Sequence, residues 1–172
     1  MWLNSKIILT IVFLIALTLR VYAINQVPPG LTWDEASLGY NAYSLLKTGK
    51  DEYGEILPLI FKSFGDYKPA LYSYLAIPFI LILGLNEFAV RLPSIILGAF
   101  IPILGYFLAR KLTGNNNISL ILAFLLAISP WTIHYGRGAW EANVAFFELL
   151  LGTFILIKAQ NKKSILISAF IF

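Results

Sequence analysis

The chain has 172 residues, of which 59% are hydrophobic and 13% charged, with a formal charge of +4. Soluble domains carry roughly 25% charged residues, and the mean hydropathy here is +0.78, so a soluble globular domain is excluded. The absence of cysteine excludes disulfides and thiolate metal sites, the single His134 cannot form a histidine metal cluster, and the basic residues form no stripe of the nucleic-acid-binding type.

A spanning helix needs about 20 mainly apolar residues. The first such run is residues 7–24. Val21, Tyr22 and Ala23 resemble a signal-peptide cleavage site, but Arg20 precedes them and the basic region before the run is Lys6 alone. We therefore read the run as a retained span. Pro28, Pro29 and Gly30 then stop the helix, and Trp33 suits a membrane interface. A helix is predicted over 35–48, with Asp34 near its N-cap and Gly49 just past its end. Its Leu38, Ala42, Leu45 and Leu46 form an apolar stripe at helical spacing, as in a helix lying on the membrane surface. The spacer 50–55 reads as a solvated turn whose acids have no evident partner. Asp66, Tyr67 and Lys68 close the polar part of this segment. Residues 69–84 are apolar, but the run is short and Pro78 interrupts it.

Three more spans are expected at 93–108, 118–133 and 144–157, and a further run starts at 164 and is still apolar at Phe172. A helix ending there would leave carbonyls unmet in lipid, so additional spans are expected beyond it. Charge decides how 69–84 is read. Lys6, the Arg110–Lys111 pair and the Lys158, Lys162 and Lys163 cluster fall on one side only if 69–84 does not cross, as the positive-inside tendency requires. The expected fold is an all-α polytopic transmembrane helical bundle in the cell membrane. Its N-terminus is cytoplasmic, and a large outer loop, 25–92, carries juxtamembrane helices.

The chemistry concentrates at the outer ends of the spans. Asp34 and Glu35 suit a helix start electrostatically, yet they also sit at the membrane surface beside a tryptophan. Adjacent carboxylates repel, which raises one pKa and suits a general base. Lys68 is either an interfacial snorkelling lysine or a point charge for a lipid phosphate. Arg91 lies at the mouth of the second span, and Arg137 and Glu141 lie in the short loop 134–143. Glu148, within the fourth span, is an intramembrane acid and so a functional candidate by default.

At these residues the sequence resembles the C-type membrane glycosyltransferases, in the branch that holds protein O-mannosyltransferases and the lipid A aminoarabinose transferase. The matching stretches are Pro28 to Ala36, Asp66-Tyr67-Lys68-Pro69, Phe88 to Pro93, and Arg137 followed by Glu141-Ala142-Asn143. The resemblance implies that the chain is the N-terminal part of a catalytic module that moves a sugar from a polyprenyl-phosphate carrier to a protein, lipid or glycan hydroxyl with inversion, on the outer face. It implies that Asp34 acts as base with Glu35 beside it, that Lys68 binds the carrier phosphate next to Asp66 and Tyr67, and that Glu141 stands where the family often has aspartate. Arg91 and Arg137 are expected to help neutralise the phosphate. There is no Gly-rich phosphate loop and no Asp-x-Asp motif, which disfavours a nucleotide-sugar donor. No cofactor is firmly implied, and a divalent cation held by the acids stays open. The rival readings are a transporter or lipid flippase, although no internal repeat is visible, and a non-catalytic membrane subunit.

Overall fold

A computed structural model describes residues 2–63, 65–159 and 161–171. Phe172, where the last apolar run was followed to, lies outside them. The first apolar run forms α1, Trp2–Val21. It stops short of Ile24 because Ala23 takes a positive φ of 51°. The Tyr22 and Ile24 amides close the final turn onto Thr18 O and Val21 O.

The helix expected to lie on the membrane surface is α2, Trp33–Thr48, but its apolar stripe turns inward: Leu38, Ala42 and Leu45 are buried against α3, the hairpin and the start of α4. Its cap also differs from the one expected. Thr32, not Asp34, is the N-cap: its hydroxyl accepts from Glu35 N at 3.3 Å, while the Glu35 carboxylate accepts from Thr32 N at 2.9 Å. This reciprocal box meets two of the amides that a helix start leaves orphaned. The far end is as expected, with Gly49 at φ 69° donating its N–H to Leu45 O, because an Ala or larger residue resists that left-handed conformation.

Two short strands, β1 (Ile60–Lys62) and β2 (Tyr67–Pro69), then pair antiparallel, with Phe61 opposite Lys68. Two acids of the spacer before them, Asp51 and Glu52, do have partners. Asp51 is buried and its Oδ1 accepts from Tyr53 N and Glu55 N at 2.9 and 2.8 Å. Glu52 Oε1 accepts from Asn41 Nδ2 at 3.0 Å. The apolar run after the hairpin is α3, Leu71–Leu83, whose 13 residues rise about 20 Å.

Helix α4, Glu87–Thr113, is longer than the expected span. It starts upstream because Asn86 caps it, accepting from Ala89 N at 2.9 Å, with Glu87 in the first turn. The run expected as one span at 118–133 is two helices, α5 (Asn116–Ile128) and α6 (Pro130–Arg137), bent by 52°. Pro130 supplies no N–H and disfavours the α conformation at Ser129, whose ψ is 124°. Thr132 Oγ1 donates to the carbonyls of Leu126 and Ser129 at the break. Helices α7 (Glu141–Lys158) and α8 (Lys162–Ile171) follow.

This is an all-helical membrane fold with one short hairpin. Among the described residues, α1 and α4 are long and apolar enough to cross a membrane, and a third span results if α5 and α6 count as one. Small residues let these three approach closely: Ala16, Ala99, Ala123 and Ala127 are wholly buried where α1, α4 and α5 meet. A second core, with Leu38, Tyr72, Ala76, Val90 and Val144, joins α2 and α3 to the start of α4 and α7. Gly39 belongs to that contact, since a Cβ there would stand 2.6 Å from a Val90 methyl.

Candidate active site

The two adjacent acids of the first loop point apart. Glu35 turns into the protein and is 1% exposed. Arg91, from the first turns of α4, reaches it with two nitrogens, Nε to Oε1 at 2.9 Å and Nη2 to Oε2 at 3.2 Å. Ala139 N, at the threshold of α7, donates to the same carboxylate at 2.9 Å. Arg91 Nη1 also donates to Ile24 O and Pro28 O at 3.0 and 3.1 Å, and Nη2 to Gly30 O. Five segments therefore meet on one fully buried ion pair: the end of α1, the Pro-Gly turn, the start of α2, the start of α4 and the loop before α7.

Burial alone would raise the Glu35 pKa. The Arg91 hydrogen bonds, the Thr32 and Ala139 amides and the Arg91 charge outweigh it and hold the carboxyl below the ordinary glutamate value. Glu35 is thus a fixed carboxylate acceptor, and repulsion between neighbouring acids does not govern it. Arg91, 0% exposed, has its guanidinium committed to protein acceptors.

Asp34 stays at the surface, with its side chain 36% exposed, and makes an ion pair with Lys68 Nζ, itself 15% exposed. The helix turn that buries Glu35 sends Asp34 the other way, and strand β2 brings Lys68 to it from 34 residues along the chain. Two residues chosen separately from the sequence are therefore in contact. Asp66 is exposed and shapes the turn between the strands, with Oδ1 accepting from Tyr67 N at 2.7 Å and its carbonyl from Ser63 N at 2.8 Å. Tyr67 is 68% exposed on the outward face of the hairpin.

Arg137 does not join the Asp34–Lys68 pair. Its Nη1 donates to Leu19 O at 2.8 Å and its Nη2 to Val27 O, so it ties the end of α6 to the end of α1. Glu141 occupies the first turn of α7 and is half-buried. Burial holds the Tyr72 phenol above its ordinary value, Ser94 opposes this, and the Glu35 and Glu141 charges push it further up, which places Glu141 within electrostatic range of the buried cluster. The Tyr72 hydroxyl donates to Val90 O at 2.9 Å. Asn143 Nδ2 donates to Ser94 O at 2.9 Å and locks α7 against α4.

Tyr72 and Ser94 were not singled out in the sequence, where an isolated Tyr or Ser next to an apolar run gives no signal of its own, and Asn143 stood there only as part of the Glu141-Ala142-Asn143 stretch, with no role. Arg20 was considered only in connection with signal cleavage, yet it is wholly buried. Among the described residues, no group of three or more His, Cys, Asp or Glu is placed to hold a metal ion. A cavity of about 490 Å³ lies between α6 and α7, lined by Leu126, Trp131, Tyr135 and Phe146 among others, and none of the candidate acids lines it.

Comparison with curated proteins gave no match. Comparison with solved structures gave none either. The family described as dolichyl-phosphate-mannose-protein mannosyltransferase matches residues 10–171. That match takes in the acidic pair, Lys68, Arg91 and the Arg137–Glu141 loop in one continuous stretch. On a match that runs through nearly the whole sequence, this chain belongs to the dolichyl-phosphate-mannose-protein mannosyltransferase family.

Proposed function

We propose that the rim formed by Asp34 and Lys68 is the catalytic centre of an inverting sugar transfer from a polyprenyl-phosphate donor, carried out on the outer face of the membrane. Membership of the family supports a membrane glycosyltransferase that uses such a donor. The single observation that carries the finer reading is the partly exposed Asp34–Lys68 pair, backed by a buried Glu35–Arg91 pair one residue away.

Lys68 exchanges the Asp34 carboxylate for the donor phosphate, and the freed carboxylate then faces the acceptor hydroxyl. The acceptor oxygen attacks the anomeric carbon as the bond from that carbon to the phosphate oxygen breaks. The hydroxyl proton passes to Asp34 as general base. The electron pair leaves with the polyprenyl phosphate, whose growing charge Lys68 stabilises. Glu141, at the start of α7, orients the acceptor or the sugar. Glu35 and Arg91 take no direct part. They hold the backbone that aims Asp34, a positioning task in which small displacements are costly. Asp66 and Tyr67 set the turn that presents Lys68. The acceptor is a hydroxyl of a protein, lipid or glycan.

The test is transfer of labelled sugar from polyprenyl-phosphate donors in membranes holding the full chain. Asp34→Asn is expected to lower turnover about 10²–10⁴-fold, the usual contribution of a positioned base, at normal expression. Lys68→Met is expected to raise the KM for the donor as well as to lower kcat. Near-normal transfer by Asp34→Asn would overturn the assignment of the base.

A further inference from the structure

The hairpin that carries Lys68 also presents an apolar surface that sugar transfer does not use. Ile56, Leu57, Leu59 and Ile60 are 71, 61, 85 and 60% exposed. They do not belong to a loose loop. Leu57 N donates to Gly49 O at 3.2 Å and Ala70 N to Leu59 O at 3.1 Å. The Tyr74 hydroxyl donates to Pro58 O at 3.0 Å. Underneath, Phe61 is 2% exposed, stacks on Tyr74 and packs with Leu45 and Ala70. One side of the segment is fixed to the protein, and four aliphatic side chains are held outward.

The outward face of the sheet is graded along its length. Ile60 stands opposite Pro69, and Lys62 opposite Tyr67, all four exposed. The Ile60 end continues into Leu59 and Leu57 and is wholly apolar. The other end carries an ammonium and two phenols, since Lys62 Nζ also lies over the Tyr53 ring at 5.2 Å. An apolar body with lysine and tyrosine at one end is the composition that bridges acyl chains and headgroups, and the ammonium complements lipid phosphate. The hairpin is tethered where this matters: β2 passes through Ala70 alone into α3, an apolar helix that exposes Leu81 and Ile82.

We propose that the 56–60 edge of the hairpin inserts into the bilayer leaflet beside the first loop, with Lys62 and Tyr67 at headgroup depth. Lys68 faces the opposite side of the sheet, in register with Phe61. Insertion therefore sets its height near the lipid phosphates. That last consequence rests on the proposed donor site, whereas the insertion itself does not depend on sugar transfer.

The sequence contains no cysteine, so a Leu59→Cys substitution in the full chain carries one environment-sensitive fluorophore. Leu59 is so exposed that the change leaves packing intact. Interfacial segments bury their apolar face about 5–10 Å into the acyl boundary. In phosphatidylcholine nanodiscs, lipid brominated on the acyl chain is expected to cause a loss of emission, because the label sits within the acyl boundary, and to do the same for Ile56→Cys. A label on Asn117→Cys, in the first turn of α5, is expected to be unaffected. Emission that is blue-shifted but insensitive to brominated lipid would mean that protein covers the edge. Water-like emission at both positions would mean that nothing does. Either result overturns the proposal, and neither bears on the transfer assay with Asp34→Asn.

Discussion

Asp34 and Glu35 are neighbours with the same chemistry and opposite fates, and the difference comes from what each one meets. Glu35 meets an arginine and two amides in a fully buried site. Removing one partner of such a pair leaves the other charge buried and unmatched, at about 3–5 kcal/mol. Arg91→Met and Glu35→Gln are each expected to lower the thermal unfolding temperature in detergent markedly. The double variant should cost less than the sum of the two, because their effects share one interaction. Additive losses would show that the pair is not the unit of stability. The same carboxyl gives a pH signature. Its folded pKa lies below the ordinary value, so its stabilising contribution is complete above the ordinary glutamate range and fades as pH falls through the lower folded value. Wild type should therefore lose stability on acidification below that range, and Glu35→Gln should show a shallower loss. Asp34, Lys68, Glu35 and Arg91 were all legible in the sequence as candidates. Their partition into a rim pair and a buried pair was not, because Glu35 and Arg91 lie 56 positions apart and no local pattern couples them.

At the scale of elements, the informative places are where helices stop or touch. The end of α2 at Gly49 and the apolar stripe before it were readable from composition and spacing. The hairpin was not, since two strands of three residues carry too little alternation to register, and their pairing depends on Phe61 finding a core formed by other elements. Pro130 signalled a boundary inside an otherwise continuous apolar run, but hydropathy alone does not register a bend. The bend matters because it brings α6 against α1. Arg20 threads between Gly98 and Gly136 and donates to Ala16 O and Thr132 O at 2.9 and 3.1 Å, while Arg137 returns from α6 to the end of α1. A Cβ on Gly136 would stand 2.5 Å from Arg20 Nε, and Arg20, being wholly buried, has nowhere to move. Gly136→Ala is expected to destabilise the fold by about 1–3 kcal/mol, the usual cost of overpacking, read as a lower unfolding temperature. Thr32→Ala, which breaks only the capping box of α2, is expected to cost about 1 kcal/mol. If Gly136→Ala proved the milder of the two, the tight α1–α4–α6 contact would not be structurally important.

The whole molecule has two ends, and its contacts assign the helix termini between them. Arg91 joins the start of α4 to Ile24, just past α1, and Ala139, just before α7, joins Glu35. At the opposite end the Tyr106 hydroxyl and Ser5 Oγ, late in α4 and early in α1, both donate to Asn116 Oδ1 at the start of α5. The rings of Phe107 and Phe154, 6.0 Å apart, bring the later part of α7 beside the later part of α4. So α1 ends where α4 and α7 begin, and the segment between α1 and α4 leaves and returns on one side. That return favours the reading in which α3 does not cross. Its rise of about 20 Å also falls short of a hydrocarbon core about 30 Å thick. Lys6, Arg110, Lys111 and Lys158 all gather at the end away from the acids of the first loop, and on the positive-inside tendency we propose that this end is the cytoplasmic one. These contacts support the outward-facing reading of the first loop, and they make it testable in intact cells with a membrane-impermeant maleimide. Tyr53→Cys, in the exposed part of that loop, is expected to react from outside. Asn117→Cys, in the first turn of α5, is expected to react only after the cells are opened. Reaction of Asn117→Cys in intact cells would put the basic end outside, and the proposed site with Asp34 and Lys68 would then face the cytoplasm.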